Sequence, residues 1–531
     1  MRQPQRSTVL LSALTYALTL FVGISLGYLL FGNRAVPIPW KTLSSEKKVD
    51  EILNIVKKRY VDSLNTDTLQ NKAIGKLLDE LDPHSTYLPP STAQQMQESL
   101  EGNFEGIGIE YHPLGDSQMV VTRVVPRGPA AQAGMLQGDH VLEIQGKPLK
   151  RADLARDRIS ALLKGEKGSH VSVLVYRPSV RSRKNLMITR GRVDFGSLDA
   201  AYMLGAENGY IRLNRFSSTT DQDFQRAVFT LKKSGMKNLV LDLRGNGGGY
   251  LSSATALADE FLPANKLIVY TKGAHEPRMD YFATDSGCFQ QGKLAVLIDE
   301  YSASASEIFA GAIQDLDRGT IIGRRSFGKG LVQEQFAFDD GSALNLTIAR
   351  YYTPSGRSIQ KSYKNGVSEY RAELARRSKT GELFAENHAQ PFSPHIFRTE
   401  KGRSVYEGGG ISPDVFIAED TTGQTPLFDR LNNRNVLMDF VIGELAPAGK
   451  PAPTLEAFIE KYEVKQADFD RFSGLAKKTL GVLPEDQLQA SEPRIRKTLK
   501  AILARYYWGD EGLYKVFNAG DPALEKAQQY F

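Results

Sequence analysis

From Thr8 to Phe31 the chain carries no charged residue; the run TVLLSALTYALTLFVGISLGYLLF is 24 residues long. As a helix it is roughly 36 Å long at about 1.5 Å per residue. That exceeds the hydrocarbon core of a bilayer, about 30 Å. It is also long for a helix buried in a globular core. Arg2 and Arg6 precede it, and Arg34 and Lys41 follow. A cleaved leader has a shorter apolar core and a small-x-small site just after it, and GYLLFGNRAVP offers no convincing one. The expectation is an uncleaved signal-anchor in 1–34 that crosses the membrane once, with a basic N-terminus in the cytoplasm. In a bacterium that means the inner membrane, with the remainder in the periplasm or extracytoplasmic space.

The remainder has the make-up of a folded, water-facing protein. Over all 531 residues, 41% are hydrophobic and 24% charged, which excludes a disordered chain, a collagen-like repeat and a multispanning protein. Lys plus Arg number 67 against 61 Asp plus Glu, a net charge of +6. So small an excess argues against nucleic acid as a partner, because a phosphate-binding face needs a larger one. The single cysteine, Cys288, permits neither an internal disulfide nor a cysteine-based zinc site.

Four regions follow the anchor. Residues 44–102 read as helical: VDEILNIVKKRYV places Val49, Ile52, Ile55 and Val56 on one stripe, and NKAIGKLLDELD does the same with Ile74, Leu77, Leu78 and Leu81. The prolines of DPHSTYLPP end that pattern. Residues 103–193 read as short strands, GIGIEY, MVVTRVV, HVLEIQG and HVSVLVYR, with one amphipathic helix in ADLARDRISALLKG. Residues 194–419 alternate strands (GYIRLNRF, NLVLDLRG, KLIVYTKG, KLAVLIDE, GTIIGRRS) with helices, the pattern of an α/β domain with buried, largely parallel strands. Residues 420–531 are helical again, with the linker PAGKPAP inside.

Three turns carry chemistry. In LVLDLRGNGGGYL a buried strand runs into Gly245-Asn246-Gly247-Gly248-Gly249. Glycines there permit positive φ, and their N–H groups can cradle an anion or oxyanion; a plain tight turn would look the same. A phosphate loop would continue G-K-[ST], whereas here Tyr250-Leu251 follow. In LIDEYSASASEIFAGAIQD a strand meets a helix at Ser302, Ala303, Ser304, Ala305 and Ser306. A serine at a helix start can cap it or sit where developing negative charge is favoured; three serines exceed what a cap requires. In GRRSFGKGLVQEQ, Lys329 stands between Gly328 and Gly330. Such a lysine is commonly a solvated turn residue, but in a cleft desolvation lowers its pKa and makes it a candidate base, with Gln333 four residues on to orient it. A serine nucleophile plus that lysine would form a Ser-Lys dyad. The histidines His84, His112, His140, His170, His275, His388 and His395 form no H-E-x-x-H, there is no G-x-S-x-G, and each histidine reads as a surface or loop residue.

The set DLRGNGGG, SASASEIFAGAIQD, FGKGLVQ, RYYTPSGRSIQ and GGGISPDV, with LDPHSTYLPP and FEGIGIEY upstream, resembles the carboxyl-terminal processing peptidases, or tail-specific proteases. The resemblance runs from about Val49 to Val415. It implies a serine endopeptidase with an α/β, crotonase-like (ClpP-like) core at 194–419 and an inserted β-rich PDZ domain at 103–193. It implies Ser304 as nucleophile, Lys329 as general base, Gln333 as its orienter, and an oxyanion hole from Ala305 with Gly249 first and Gly248 second. It implies that Gly106, Ile107, Gly108 and Ile109 capture the carboxylate of an apolar C-terminal tail, which adds to a sheet edge. Protein or peptide substrates with apolar C-termini are the expected partners, with no metal or organic cofactor. The C-terminal helices leave room for a homo-oligomer or a regulatory partner. Two rivals stand beside this reading: a non-catalytic PDZ scaffold that only binds tails, and a crotonase-like enzyme acting on an acyl thioester.

Overall fold

The computed structural model describes residues 6–31, 48–115, 118–386 and 395–531. They fall into two units, Met1–Ile74 and Gly75–Phe531. The flanking Arg2, Arg34 and Lys41, and His388, lie outside the described residues.

In the first unit the uncharged run is one helix, Arg6–Phe31. Its stretch Ala13–Leu30 is long and apolar enough to cross a membrane and has no buried residue. Thr15 and Thr19 return their hydroxyls to the carbonyls of Leu11 and Thr15, at 2.9 and 2.8 Å, which satisfies those two hydroxyls within the helix. A second helix, Lys48–Arg59, carries Val49, Ile52 and Ile55 exposed.

In the second unit a six-stranded sheet positions the site. Its order is Leu198–Met203, Asn208–Leu213, Asn238–Asp242, Leu294–Ile298, Thr320–Gly323 and Val415–Phe416. The first pair is antiparallel and the other four pairs are parallel. Both faces are covered, which is why these strands read as continuous apolar runs. Leu239, Leu241, Val296 and Ile298 face the helices Thr220–Lys233, Leu251–Asp259 and Ala305–Asp315, in a core with Phe224, Leu257 and Phe309. Val240, Ala295, Leu297 and Ile322 face the last helix, Pro522–Gln529, through Ala523, Leu524 and Ala527.

One expected strand lies elsewhere. KLIVYTKG forms Leu267–Lys272 in a second sheet, antiparallel to Ala343–Tyr352. That sheet also holds Thr86–Leu88, Met279–Phe282 and Leu331–Ala337. Leu267 and Tyr270 are only half-buried and Lys272 is exposed, whereas all five residues of Leu294–Ile298 are buried; a sheet with a solvated face needs no more.

The strand-rich block folds on its own core of Met119, Val121, Val141, Val171, Val173, Val175 and Ile188. Its six-stranded sheet is joined to the rest by a ribbon that pairs Asn103–Gly106 with Gly191–Asp194. The segment ADLARDRISALLKG is a 3₁₀ turn, Arg151–Leu154, followed by a short helix, Arg156–Leu163, rather than one helix. The C-terminal helices between Pro426 and Asn518 enclose a further core around Phe440, Phe458 and Phe472.

Candidate active site

Strands Asn238–Asp242 and Leu294–Ile298 are parallel neighbours, with Asp242 opposite Leu297. The glycine turn and the serine turn therefore leave the same end of the sheet, where open α/β sheets place their ligands. The turns are stitched together. Asp299 Oδ1 accepts from Gly245 N at 2.9 Å and from Tyr301 N at 3.0 Å. Ser302 Oγ donates to Leu243 O at 2.8 Å, and Ser306 Oγ to Asn246 O at 2.9 Å. Ala303 N donates to Asn246 O at 3.0 Å.

This accounts for the three serines. Ser302 and Ser306 are fully buried and spend their hydroxyls on the neighbouring turn. Ser304 is half-buried, lines the cleft, and has φ +55° and ψ −113°. A non-glycine residue pays strain there, and the strain is maintained by the bonds on either side of it.

The glycines of the other turn are needed for space. A Cβ on Gly248 would lie 2.9 Å from both Ser304 Cβ and Ala305 N. A Cβ on Gly249 would lie 1.9 Å from Phe216 O. Gly248 N donates to Asn246 Oδ1 at 2.9 Å. Among the described residues the N–H groups of Gly249 and Ala305 have no acceptor within the protein.

Lys329 follows the next parallel strand, Thr320–Gly323. Its turn is held by Phe327 N to Ser302 O at 3.0 Å and Lys361 N to Gly328 O at 2.9 Å. A Cβ on Gly328 would lie 3.0 Å from Gly409 C, and one on Gly330 would lie 2.9 Å from Gln360 N. The SIQ and GGG segments of the sequence thus exist as the walls of this turn. Lys329 Nζ donates to Gln333 Oε1 at 2.7 Å; Gln333 Nε2 is buried and has no partner among the described residues. No hydrogen bond joins Lys329 Nζ to Ser304 Oγ among the described residues. Burial pushes the Lys329 amine below the ordinary lysine range, opposed by the carboxylates of Glu307 and Asp82.

Ser304, Lys329, Gln333, Gly248 and Gly249 line one cleft of about 670 Å³, with Leu100, Ile308, Leu331 and Tyr351 among its apolar walls. Three residues that local sequence reading passed over support the site, of which Tyr351 lines the cleft and Glu307 and His84 stand behind it. Tyr351 Oη lies 2.5 Å from Lys329 O and 3.2 Å from Ser304 O. Glu307, whose S-x-x-E spacing from Ser304 is a helix-start signature, accepts from both turns. His84 is in a loop, as its context suggested, yet is packed in place: Nε2 is 2.7 Å from Tyr370 Oη, and burial, then the Lys329 charge, lowers its pKa to about 4. His112, also read as a surface residue, is buried and bonded to Asp439 at 2.6 Å. Among the described residues no group of three or more His, Cys, Asp or Glu is placed to hold a metal ion.

In the strand-rich block, Ile107, Gly108 and Ile109 line a groove of about 680 Å³ with Phe104, Ser160 and Leu163. Ile107 O and Gly108 O accept from Ala130 and Val125, while their own N–H groups have no acceptor within the protein among the described residues. Gly106 is not part of that lining; it pairs with Gly191 in the ribbon. Helix Pro90–Glu101 stands between the two hollows, with Met96 and Leu100 on the cleft and Gln95 and Glu98 on the groove.

Residues 207–369 match the pattern of peptidase family S41, residues 105–188 that of the PDZ domain, and residues 427–509 that of a family of unknown function. The carboxy-terminal-processing protease of Bartonella bacilliformis is 36% identical over 315 residues, 58% of this chain and 71% of that protein. The carboxy-terminal processing protease CtpB of Bacillus subtilis is 32% identical over 317 residues, 59% of this chain and 65% of that protein, so the match spans less than two thirds of the Bacillus relative. A solved structure, the photosystem II D1 C-terminal processing protease, has 27% identity and a TM-score of 0.36, covering 72% of this chain and 95% of that one.

Proposed function

The chain belongs to peptidase family S41, among the carboxyl-terminal processing peptidases with a PDZ domain, and from that premise we propose that it is a membrane-anchored serine endopeptidase working through a Ser304–Lys329 dyad. The anchor is the helix Arg6–Phe31, which leaves the catalytic part on the extracytoplasmic side. The core is read as crotonase-like. The PDZ domain takes an apolar C-terminal tail, its carboxylate received by the free N–H groups around Ile107 and Gly108 and its side chains by Phe104, Ile109 and Leu163.

The chemistry is acyl transfer. Ser304 Oγ attacks the scissile carbonyl as its proton passes to neutral Lys329 Nζ. The oxyanion of the tetrahedral intermediate is received by the N–H groups of Ala305 and Gly249. Gly249 fills this role better than Gly248, whose N–H already serves Asn246. Lys329 then returns the proton to the leaving amine, and the ester on Ser304 is hydrolysed by water that Lys329 deprotonates. Lys329 Nζ is held by Gln333, so the attack requires the amine to swing toward Ser304 once substrate is bound.

The observation that carries this reading is one cleft holding a strained, half-exposed serine, two unspent N–H groups beside it and a desolvated lysine. The test is cleavage by the full chain in detergent of a loosely folded protein ending in an apolar tail. Cleavage of that protein, with sparing of the same protein ending in a charged tail, is the expected result. Binding of the tail without cleavage would favour a scaffold.

A further inference from the structure

Glu307 is in the first turn of the helix that Ser304 opens, and it is fully buried. A buried carboxylate is costly unless it is well bonded. Its Oε1 accepts from Ser326 Oγ at 2.5 Å and Gly328 N at 2.7 Å. Its Oε2 accepts from Ser304 N at 2.8 Å and Lys329 N at 2.9 Å. The donors thus include the backbone of the serine itself and that of the lysine itself. Ser326 Oγ in turn accepts from Ile411 N at 2.6 Å, which ties the GGGIS loop into the same node.

Three of the four donors are backbone N–H groups, which cannot take an acid proton, and only the Ser326 hydroxyl could turn to accept one. The arrangement therefore favours the anion. We infer that Glu307 is a positioning residue of the Ser304–Lys329 site: its carboxylate pins the serine turn to the lysine turn, and its charge sets the pH at which Lys329 can act as a base. The inference rests on the dyad proposed above.

The neighbourhood makes that charge count. Facing Lys329 are Glu307, Asp82 and His84, with neutral Gln333 on its amine. Facing Glu307 are Lys329, Tyr351 and Tyr370. Nearby Lys361 has its amine on Glu373 at 3.0 Å. Burial lifts the Glu307 carboxyl to about 7 while its four donors pull it down. Burial lowers Lys329, and the Glu307 carboxylate raises it again. Removing the negative charge therefore makes Lys329 easier to deprotonate and moves the onset of activity to lower pH.

The experiment measures kcat and KM against pH for the full chain in detergent with the tail-bearing substrate. Capture of Ser304 by a fluorophosphonate, read by mass spectrometry, gives a second rate that needs no tail. Glu307→Gln keeps the reach and removes the charge; Glu307→Asp keeps the charge and shortens the reach. For Glu307→Gln the acid limb moves down by about one pH unit, the scale of one nearby opposite charge. For Glu307→Asp the limb stays where it is. In both, kcat on the plateau falls about 10- to 100-fold, as expected when reacting groups are displaced, with KM little changed. Loss of the plateau in both variants with neither limb moved would overturn the charge role, and an unaltered plateau would overturn the pinning. If Glu307→Gln does not fold, Glu307→Asp decides: a parent-like plateau overturns the inference, and a lowered plateau with the limb in place supports it. Ser304→Ala and Lys329→Ala run alongside; activity surviving in those variants indicts the dyad itself rather than Glu307.

Discussion

Asp521 Oδ2 accepts a hydrogen bond from Arg244 Nη1 at 2.7 Å across 277 residues of sequence. Arg244 also grips Asp242 through Nε and Nη2, and Asp242 takes Arg212 Nη1 at 2.9 Å and Tyr210 Oη at 2.8 Å. The far end of the helical C-terminal region therefore holds the corner from which the glycine turn springs. Asp521→Ala leaves Arg244 half-paired. Both side chains keep some exposure, 20% and 15%, so the expected loss of stability is about 1–2 kcal/mol. Urea unfolding checks it; an unchanged midpoint would mean that the pair bears nothing.

The two glycines of the proposed oxyanion turn are expected to fail differently. In Gly249→Ala the new Cβ meets a backbone oxygen that cannot recoil, so the protein loses about 3 kcal/mol or more, read by thermal unfolding. In Gly248→Ala the new Cβ also meets backbone, but less closely, with Ala303 O at 2.7 Å and Ala305 N at 2.9 Å, and it presses on Ser304 Cβ at 2.9 Å. That protein is expected to fold and to lose at least about 100-fold in kcat. Equal activity in Gly248→Ala and the parent would dissociate this turn from the reaction.

The proposed dyad works only with neutral Lys329, and burial lowers the pKa of that amine. Activity should then rise with pH and reach its plateau below the ordinary lysine value of about 10.4. Lys329→Arg, which stays protonated throughout, is expected to be inactive across the range. A flat profile at constant stability contradicts a lysine base.

The groove at Ile107 and Gly108 is expected to read a free carboxylate. Titration of an apolar-tailed peptide should give an affinity at least about tenfold higher for the C-terminal acid than for its amide, since the amide forfeits charge-assisted bonds worth about 1.5–3 kcal/mol. Equal affinities would place tail recognition elsewhere.

The turns were legible because their constraints are local: glycines after a buried strand, serines at a strand-to-helix junction, a lysine between glycines. Which serine faces the cleft is not local. It depends on the acceptors that Leu243 and Asn246 offer to Ser302 and Ser306, some 60 residues away. Glu307 was hidden by its ordinary place in a helix first turn, and His84 by a loop that gains its meaning only from Tyr370. Leu267–Lys272 reads like its parallel neighbours but pairs with Ala343–Tyr352, a choice that strand composition does not encode. The helical tail was legible as helices. Its docking beneath the sheet was not, because small residues such as Ala523 and Ala527 signal close packing without naming the partner.

The central claim is that Ser304 and Lys329 together cut the substrate. The most direct measurement incubates the full chain in detergent with the tail-bearing protein, beside Ser304→Ala and Lys329→Ala variants whose folding has been verified. The account predicts cleavage by the parent and none by either variant, with both variants still binding the tail. Cleavage that survives both substitutions would contradict it.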